Sequence, residues 1–245
     1  MEHILLPSKI AYSQGKHSFE SMLTIEPCFY GYGTTLGNAL RRVLLSSLSG
    51  AAVTAVKIHG VSHEFQAIPH IKEDMLEVIL NLKGLRMRVH SDEPVKLKIH
   101  VEGEKIVTGA DIEANADVEI VNPDLRIATI TDKKAVLDME LIVERGRGFV
   151  PTEKKQETNR EIGLIHIDAL FSPVRNVGYK VENTRVGEIT NYDKLVMTIE
   201  TDGTITPEEA VHASAKTLID HFQLLIADGE KFSGQNNGNE INEKM

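Results

Sequence analysis

Two segments, one near each end of the chain, carry apolar residues at the spacing of an amphipathic helix. The first runs from Thr34 to Leu48. Its apolar positions recur three and four residues apart, which places them on one helix face. They are Leu36, Ala39, Leu40, Val43, Leu44 and Leu48. Because Ser49-Gly50 is typical of a helix end, we predict a helix over residues 34–48.

The second amphipathic segment begins at Thr206-Pro207, followed by two glutamates. Thr206 can cap the helix, Pro207 suits its first turn, and Glu209 can reach back to the cap. The apolar stripe that follows consists of Val211, Ala215, Leu218, Phe222, Leu225 and Ile226. Asp228-Gly229 predicts the end of this helix.

Between these helices, apolar and polar residues mostly alternate, which is typical of strands with one solvated face. The pattern is clearest over 95–101 and 137–143. Shorter strands are predicted over 19–25, 53–58, 118–121, 164–167, 177–181 and 195–200, and a third helix over 73–82. Because strands do not alternate regularly with helices, we predict an α+β fold rather than a doubly wound parallel sheet.

The composition of the chain excludes several classes of protein. The 245 residues include 27 Lys+Arg and 36 Asp+Glu, a net charge of -9, which argues against binding nucleic acid alone. The single cysteine, Cys28, excludes an intramolecular disulfide framework and a Cys-rich zinc site. No apolar run approaches the ~20 residues of a membrane helix, and the N-terminus lacks a secretory signal. We therefore expect a cytoplasmic protein without membrane association. The polar residues 230–245 predict a disordered tail.

The segment from Gly31 to Gly37 precedes the first helix and resembles a dinucleotide-binding loop. It makes a nucleotide-cofactor-binding oxidoreductase the alternative function. The acid that would bind the ribose is missing at the expected spacing, where Lys57 stands. A tight turn that enters a closely packed helix is therefore favoured.

Two further motifs each allow a chemical and a plain structural interpretation. His59 and His63, with His70 nearby, suggest a metal site, although solvated loop histidines are the favoured explanation. The two arginines of Arg145-Gly146-Arg147-Gly148 could bind a phosphate group. Equally, the motif could form a glycine-kinked β turn. We assign no catalytic and no metal-binding residues to this chain.

Arg41 and Arg42 interrupt the first helix beside Leu44 and Leu45. An arginine in that position suits bidentate contact with a partner's carboxylate or backbone. Equally, both arginines could extend from an ordinary amphipathic helix into solvent. With so few catalytic candidates, the pattern favours an assembly protein.

A run of motifs resembles the α-subunit family of bacterial RNA polymerase. The longest is Gly31-Tyr-Gly-Thr-Thr-Leu-Gly-Asn-Ala-Leu-Arg-Arg-Val-Leu-Leu-Ser-Ser47, and others follow in order: Glu73-Asp74, Asn81-Leu-Lys83-Gly84, Arg145-Gly-Arg-Gly-Phe-Val-Pro151, Ile167-Asp-Ala-Leu-Phe-Ser-Pro-Val174 and Thr201-Asp-Gly-Thr-Ile-Thr-Pro-Glu-Glu-Ala210. The resemblance covers residues 1–229. A recurring, ordered set of motifs is far more specific than any single one.

The resemblance implies a dimerisation domain built from 1–48 and 170–229, and a β-rich insertion domain over 49–169. The two helices of each copy would pack on those of a second copy in a symmetric homodimer. The dimer-interface residues expected from this are Leu36, Leu40, Val43, Leu44, Leu218, Phe222 and Leu225.

The resemblance also implies the partners. The dimer would be a non-catalytic scaffold for the β and β′ subunits, with Arg41, Arg42 and Leu45 contacting β, and Lys83 and Ile167 contacting β′. No cofactor is expected on this chain, since the catalytic magnesium would lie on a large subunit. DNA would be reached only through the assembled complex, in a bacterial cytoplasm rather than a plastid. A generic dimeric interaction module remains as a third possibility.

Overall fold

The structure, a computed structural model, describes residues 4–154 and 163–235, which form three α-helices and fourteen β-strands. The helices are α1 (Tyr32–Ser46), α2 (Met75–Lys83) and α3 (Pro207–Gln235). The strands are β1 (Lys9–Gln14), β2 (Glu20–Cys28), β3 (Ser49–Ile58), β4 (Met87–Val89), β5 (Val95–Glu102), β6 (Lys105–Thr108), β7 (Val118–Ile120), β8 (Arg126–Ile130), β9 (Val136–Arg147), β10 (Phe149–Val150), β11 (Ile165–His166), β12 (Ala169–Leu170), β13 (Val174–Val186) and β14 (Ile189–Thr201). The predicted α+β fold is confirmed.

The two ends of the chain share one antiparallel sheet, in the order β1, β2, β14, β13, and α1 and α3 pack against it. Alternation along β2 and β14 turns every second side chain into this core, as expected for a sheet with one covered face. The buried members are Leu23, Ile25, Cys28, Leu40, Leu44, Leu48, Val174, Val177, Leu195, Met197, Ile199 and Ala210.

The middle of the chain forms a second, separate core. Its main sheet has the order β11, β3, β9, β5, and α2 and the ladders β4–β7 and β6–β8 complete it. All its buried members lie between Val53 and Ile167. The division of the chain into domains at residues 48/49 and 169/170 stays a prediction.

Arg88 on β4 connects the second core to the loop that leads into α3. Its Nε donates a hydrogen bond to the Thr204 carbonyl at 2.7 Å, and its Nη1 lies 3.3 Å from Glu119 on β7. The loop that leads into α3 is thereby attached to the second core.

The predicted end of the first helix was wrong. Residues 49–50 begin β3, and α1 ends at Ser46. A Cβ on Gly50 would lie 2.0 Å from the Phe171 carbonyl oxygen. The glycine is therefore required because two backbone segments approach each other closely, and it does not cap the helix.

The predicted start of the last helix is confirmed. The Glu209 N–H donates to Thr206 Oγ1 at 3.2 Å, and the Thr206 N–H donates to Glu209 Oε2 at 3.0 Å. The predicted end at residues 228–229 was wrong, because α3 continues to Gln235. An interior glycine costs a helix only about 1 kcal/mol, so Gly229 does not stop it. Residues 236–245 of the predicted tail lie outside the described residues.

The predicted strands were placed correctly but were mostly too short. The two segments predicted over 177–181 and 195–200 form β13 and β14, a hairpin of thirteen residues on each side. By contrast, the strand predicted over 164–167 is reduced to the two residues of β11. Short strands such as β4 and β6 were not predicted, since three or four residues carry too little periodicity.

Candidate partner-binding surfaces

The glycine-rich segment before α1 is closed by the chain's own carboxylate. Asp193 on β14 is buried, and its Oδ2 accepts a hydrogen bond from the Gly33 N–H at 3.0 Å. A Cβ on Gly33 would lie 3.0 Å from Asp193 and Val181. The carboxylate thus occupies the helix N-terminus that a pyrophosphate would need, and the oxidoreductase alternative loses its only site.

The third glycine of this segment serves close packing. A Cβ on Gly37 would lie 2.7 Å from the Tyr179 ring and 2.9 Å from Leu195. Gly33 and Gly37 are four residues apart and therefore share one face of α1. They let that helix approach β13 and β14, as the tight-turn interpretation predicted.

The two adjacent arginines of α1 have different environments. Arg41 Nε donates a hydrogen bond to the Val177 carbonyl on β13 at 3.0 Å, so this side chain ties the helix to its own sheet. Arg42 is exposed, and its guanidinium has no hydrogen bond or ion pair with the described part of the chain. Arg41 is exposed as well, so its contact with β stays a prediction. Arg42 stays a candidate.

Leu45 lies where α1 meets the segment before β13. It is half-buried against the first core, and its carbonyl accepts a hydrogen bond from Ser172 Oγ at 3.3 Å. One turn separates it from Arg42 along the helix, so an apolar and a cationic side chain lie close together there.

Lys83 ends α2, a helix that is fixed firmly at its start. Asp74 Oδ1 caps it by accepting the Glu77 N–H at 2.8 Å. Glu73 is buried just before the helix and pairs with Arg126 on β8. Burial alone would raise the pKa of Glu73, but hydrogen bonds from Arg126 and Thr129 outweigh it and lower the pKa.

The ammonium of Lys83 has a partner in its own chain. Its Nζ lies 3.2 Å from Asp168 Oδ2, and the Thr152 N–H donates to Asp168 Oδ1 at 3.0 Å. The hydrogen bond from the Thr152 N–H, together with the Lys83 ammonium, lowers the pKa of Asp168 against the effect of burial. Lys83 is exposed, so it stays a candidate for contact with β′.

Ile167 does not form part of the surface. Its side chain is 1% exposed and belongs to the second core, and its N–H donates to the Thr54 carbonyl at 2.9 Å. The side chains of the preceding strand alternate, with Ile165 inward and His166 half-exposed, so position 167 turns inward again. The predicted side-chain contact of Ile167 with β′ is therefore corrected.

Two of the predicted dimer residues on α1 are also buried within the protomer. Leu44 and Leu40 are 0% and 7% exposed and lie in the first core. The apolar stripe of α1 faces its own sheet, so these two side chains cannot reach a second copy. Leu36 and Val43 are half-buried.

The apolar residues of α3 are uncovered from 219 to 226, whereas Leu218 is half-buried against the first core. Every residue from 219 to 226 is exposed. The large apolar side chains among them, Ile219, Phe222, Leu224, Leu225 and Ile226, are 53–70% exposed. Ile219 was missed in the sequence although its spacing of three from Phe222 and seven from Ile226 marks the same side of the helix.

The candidate metal and phosphate motifs form no site. His59, His63 and His70 are exposed in loops, and among the described residues no three His, Cys, Asp or Glu side chains converge as metal ligands. Arg145 Nη1 lies 2.8 Å from Asp92 Oδ1, and Gly148 takes a positive φ of 65° at the end of β9. This geometry agrees with the glycine-kinked interpretation. No helix in the described ranges is long and apolar enough to span a membrane.

Comparison with known proteins agrees with the resemblance seen in the sequence. Residues 56–172 match the family described as RNA polymerase Rpb3/RpoA insert domain. The chain is 55% identical over 203 residues to the DNA-directed RNA polymerase subunit alpha of Alkaliphilus oremlandii, covering 83% of this chain and 64% of that protein. It is 52% identical over 211 residues to that of Moorella thermoacetica, covering 86% and 67%. The chain thus spans about two thirds of the length of these relatives.

Proposed function

Because the chain belongs to the family of DNA-directed RNA polymerase alpha subunits, we propose that it is the assembly subunit of such a polymerase. In this role two copies form a homodimer on which the β and β′ subunits assemble. The observation that carries the proposal is the identity of 50–55% with named alpha subunits over more than 200 residues. The matched length is 83% of this chain for the first of these relatives and 86% for the other.

The uncovered stripe of α3 supports the homodimer. A helix face with Phe222, Leu225 and Ile226 exposed to water lacks the burial that normally stabilises an amphipathic helix. A two-fold axis would place the same stripe of a second copy against it. Each copy would then bury these side chains, and every contact would occur twice in the dimer. An obligate interface of this kind typically covers more than about 2,000 Å².

The exposed cations support separate surfaces for the two large subunits. Arg42, which has no ion pair within residues 4–154 and 163–235, would take a carboxylate of β, with Leu45 beside it as an apolar contact. Lys83 on α2 would contact β′ from the other core. Because each copy of the dimer carries both surfaces, one β and one β′ can be bound by two copies.

We also infer that this chain is non-catalytic and acts in a bacterial cytoplasm. The side chains of its candidate surfaces are arginine, lysine and leucine, which suit protein contact, whereas magnesium prefers carboxylate oxygens. In this proposal the catalytic magnesium lies on a large subunit, and DNA is reached through the assembled complex.

The test is co-expression of the tagged chain with the β and β′ subunits of its own organism, followed by affinity isolation and native mass measurement. We expect two copies of the chain with one β and one β′. Arg42→Ala should reduce the retention of β, while Lys133→Ala, a matched change of an exposed cation in the β8–β9 turn, should not. Recovery of the chain as a dimer without either large subunit would overturn the proposal.

A further inference from the structure

The short ladder β10–β12 presents two large apolar side chains to solvent. Phe149 is 61% exposed and Leu170 is 54% exposed. They are direct partners in the antiparallel register, so their Cβ atoms lie roughly 5 Å apart. The two side chains therefore form one apolar patch.

This patch is held rigidly from behind. Phe171, buried to 4% exposure, follows Leu170, and its N–H donates to the Gly148 carbonyl at 2.9 Å. Its ring lies over Gly146, where an added Cβ would be 2.7 Å away. A fixed apolar pair loses little conformational entropy when a partner covers it, which favours its use as a contact site.

The patch adjoins the end of α1 that carries Arg42. A Cβ on Gly148, the neighbour of Phe149, would lie 3.9 Å from the Ser46 carbonyl oxygen. Ser46 is one turn beyond Arg42 on the same helix face, and its Oγ donates to the Arg42 carbonyl at 2.8 Å. Just after β12, the Ser172 hydroxyl donates to the Leu45 carbonyl. The backbone segments next to Phe149 and Leu170 therefore adjoin the end of α1 that carries Arg42 and Leu45.

The charges near the ladder favour one of the two large subunits as the occupant. At the α2 side, Lys83 is paired with Asp168, which also accepts the Thr152 N–H. At the α1 side, Arg42 has no partner among the described residues. A partner that brings a carboxylate would therefore gain more at the α1 side, where no described carboxylate pairs with the cation.

We propose that Phe149 and Leu170 extend the β-binding surface of Arg42 and Leu45. The surface would take a β-subunit segment that carries a carboxylate next to an apolar side chain. This inference rests on the proposed function and adds residues from the middle of the chain to a site otherwise formed by α1. Arginine and aromatic side chains are the types that most often dominate binding energy at interfaces.

The experiment measures the affinity of the purified dimer for purified β subunit and, in parallel, for purified β′ subunit, with wild type and variants at equal concentration. Phe149→Ser and Leu170→Gln should each weaken binding roughly tenfold or more, the usual effect of losing an interface anchor. Phe149→Leu should retain most of the affinity. The matched control is Ile106→Ser on β6, another exposed strand residue, which should change the affinity less than about twofold.

The outcomes separate this inference from the proposed function. If β binds wild type and both polar variants equally well, the extended surface is wrong while the assembly role stands. If the variants keep β but lose β′, the assigned occupant is wrong. Failure of wild type to bind β would instead overturn the proposed function. As a folding control, the mass of the dimer and the melting temperature of every variant should match those of wild type. If Phe149→Ser alone lowers the melting temperature, the affinity of Leu170→Gln for β decides whether the patch binds β.

Discussion

The helices α1 and α3 have the same kind of apolar stripe in the sequence but different surroundings in the fold. The stripe of α1 is covered within the protomer, where Leu40 and Leu44 are buried. The stripe of α3 is covered only as far as Leu218, and the residues from 219 to 226 are exposed. An apolar stripe therefore shows that a helix face needs cover without showing which molecule supplies it.

Small residues four positions apart distinguish the covered parts of both helices. On α1 these are Gly33 and Gly37, which lie against β13 and β14. On α3 they are Ala210 and Ser214, both 0% exposed. Such pairs let a helix backbone approach its neighbour closely, as ridge-and-groove packing requires. Over residues 219–226 α3 instead exposes several large apolar side chains, which suits contact with another molecule.

Phe222→Asp should have the largest effect in this comparison, and it should act on the dimer alone. Each dimer carries the change twice, so two losses of about 2 kcal/mol raise the dissociation constant roughly a thousandfold. Light scattering at micromolar concentration should give the mass of one copy, while circular dichroism remains that of a folded protein.

The matched control is Leu224→Asp on the same helix. Leu224 is 67% exposed and, two positions from Phe222, lies on the opposite side of α3. It should leave the mass of the dimer unchanged. A monomer from both variants, or a dimer from both, would show that the stripe does not form the interface.

Leu44→Ala should have the second largest effect, and it should act on the fold. Truncating a fully buried leucine lowers the free energy of unfolding by roughly 2–5 kcal/mol, measurable by denaturant titration. Leu80→Ala on α2, where the leucine is 60% exposed, should cost less than about 1 kcal/mol. If both substitutions cost the same, the stripe of α1 is not part of the protomer core.

Local pattern predicted the elements of this fold well. Periodicity placed both long helices, and the cap at Thr206 was predicted from four residues because all its hydrogen bonds are local. The α1 end was missed because Gly50 is required by the distant Phe171 carbonyl. Residue spacing in the sequence indicates hydrogen bonds between near neighbours. It does not indicate contacts between distant backbone segments, which form only once the chain has folded.

The candidate surfaces were predictable to a smaller extent. Arg41 and Arg42 are adjacent and identical in the sequence, yet within the described ranges only Arg41 has an acceptor, on a strand 136 residues away. Ile167 was inferred from resemblance, and its burial depends on how β11 enters the second core. The patch of Phe149 and Leu170 has no sequence signal, because strands of two residues carry no periodicity.

Gly37→Ala tests the role of small residues and should have a moderate effect. The added Cβ would lie 2.7 Å from the Tyr179 ring, and overpacking of this kind costs roughly 1–3 kcal/mol. Gly178→Ala on the adjacent β13 is the control, since no atom lies within 4 Å of its Cβ position. Thermal unfolding should show a lower melting temperature only for Gly37→Ala. Equal stability of the two variants would mean that α1 can move away from its sheet without loss.

Thr206→Ala should lower stability least, because it removes only a local contact at the start of α3. This contact lies before both the covered and the uncovered part of the helix. Loss of the cap should cost about 1 kcal/mol in chemical denaturation. Thr217→Ala, further along the helix, is the control: Thr217 donates only to the Ala213 carbonyl, and alanine favours a helix interior.

Acidification should make the role of the cap visible. The N–H and hydroxyl of Thr206 lower the pKa of Glu209, so this group stabilises the folded state above its ordinary pKa. That stabilisation is lost as the pH falls through the lowered pKa. The stability difference between wild type and Thr206→Ala should therefore be constant near neutral pH and narrow in acid. The backbone N–H of residue 206 reaches Glu209 in both proteins, so the narrowing reports the bond from the Thr206 hydroxyl to Glu209. A difference that stays constant through this range would mean that this hydroxyl bond does not contribute to the start of α3.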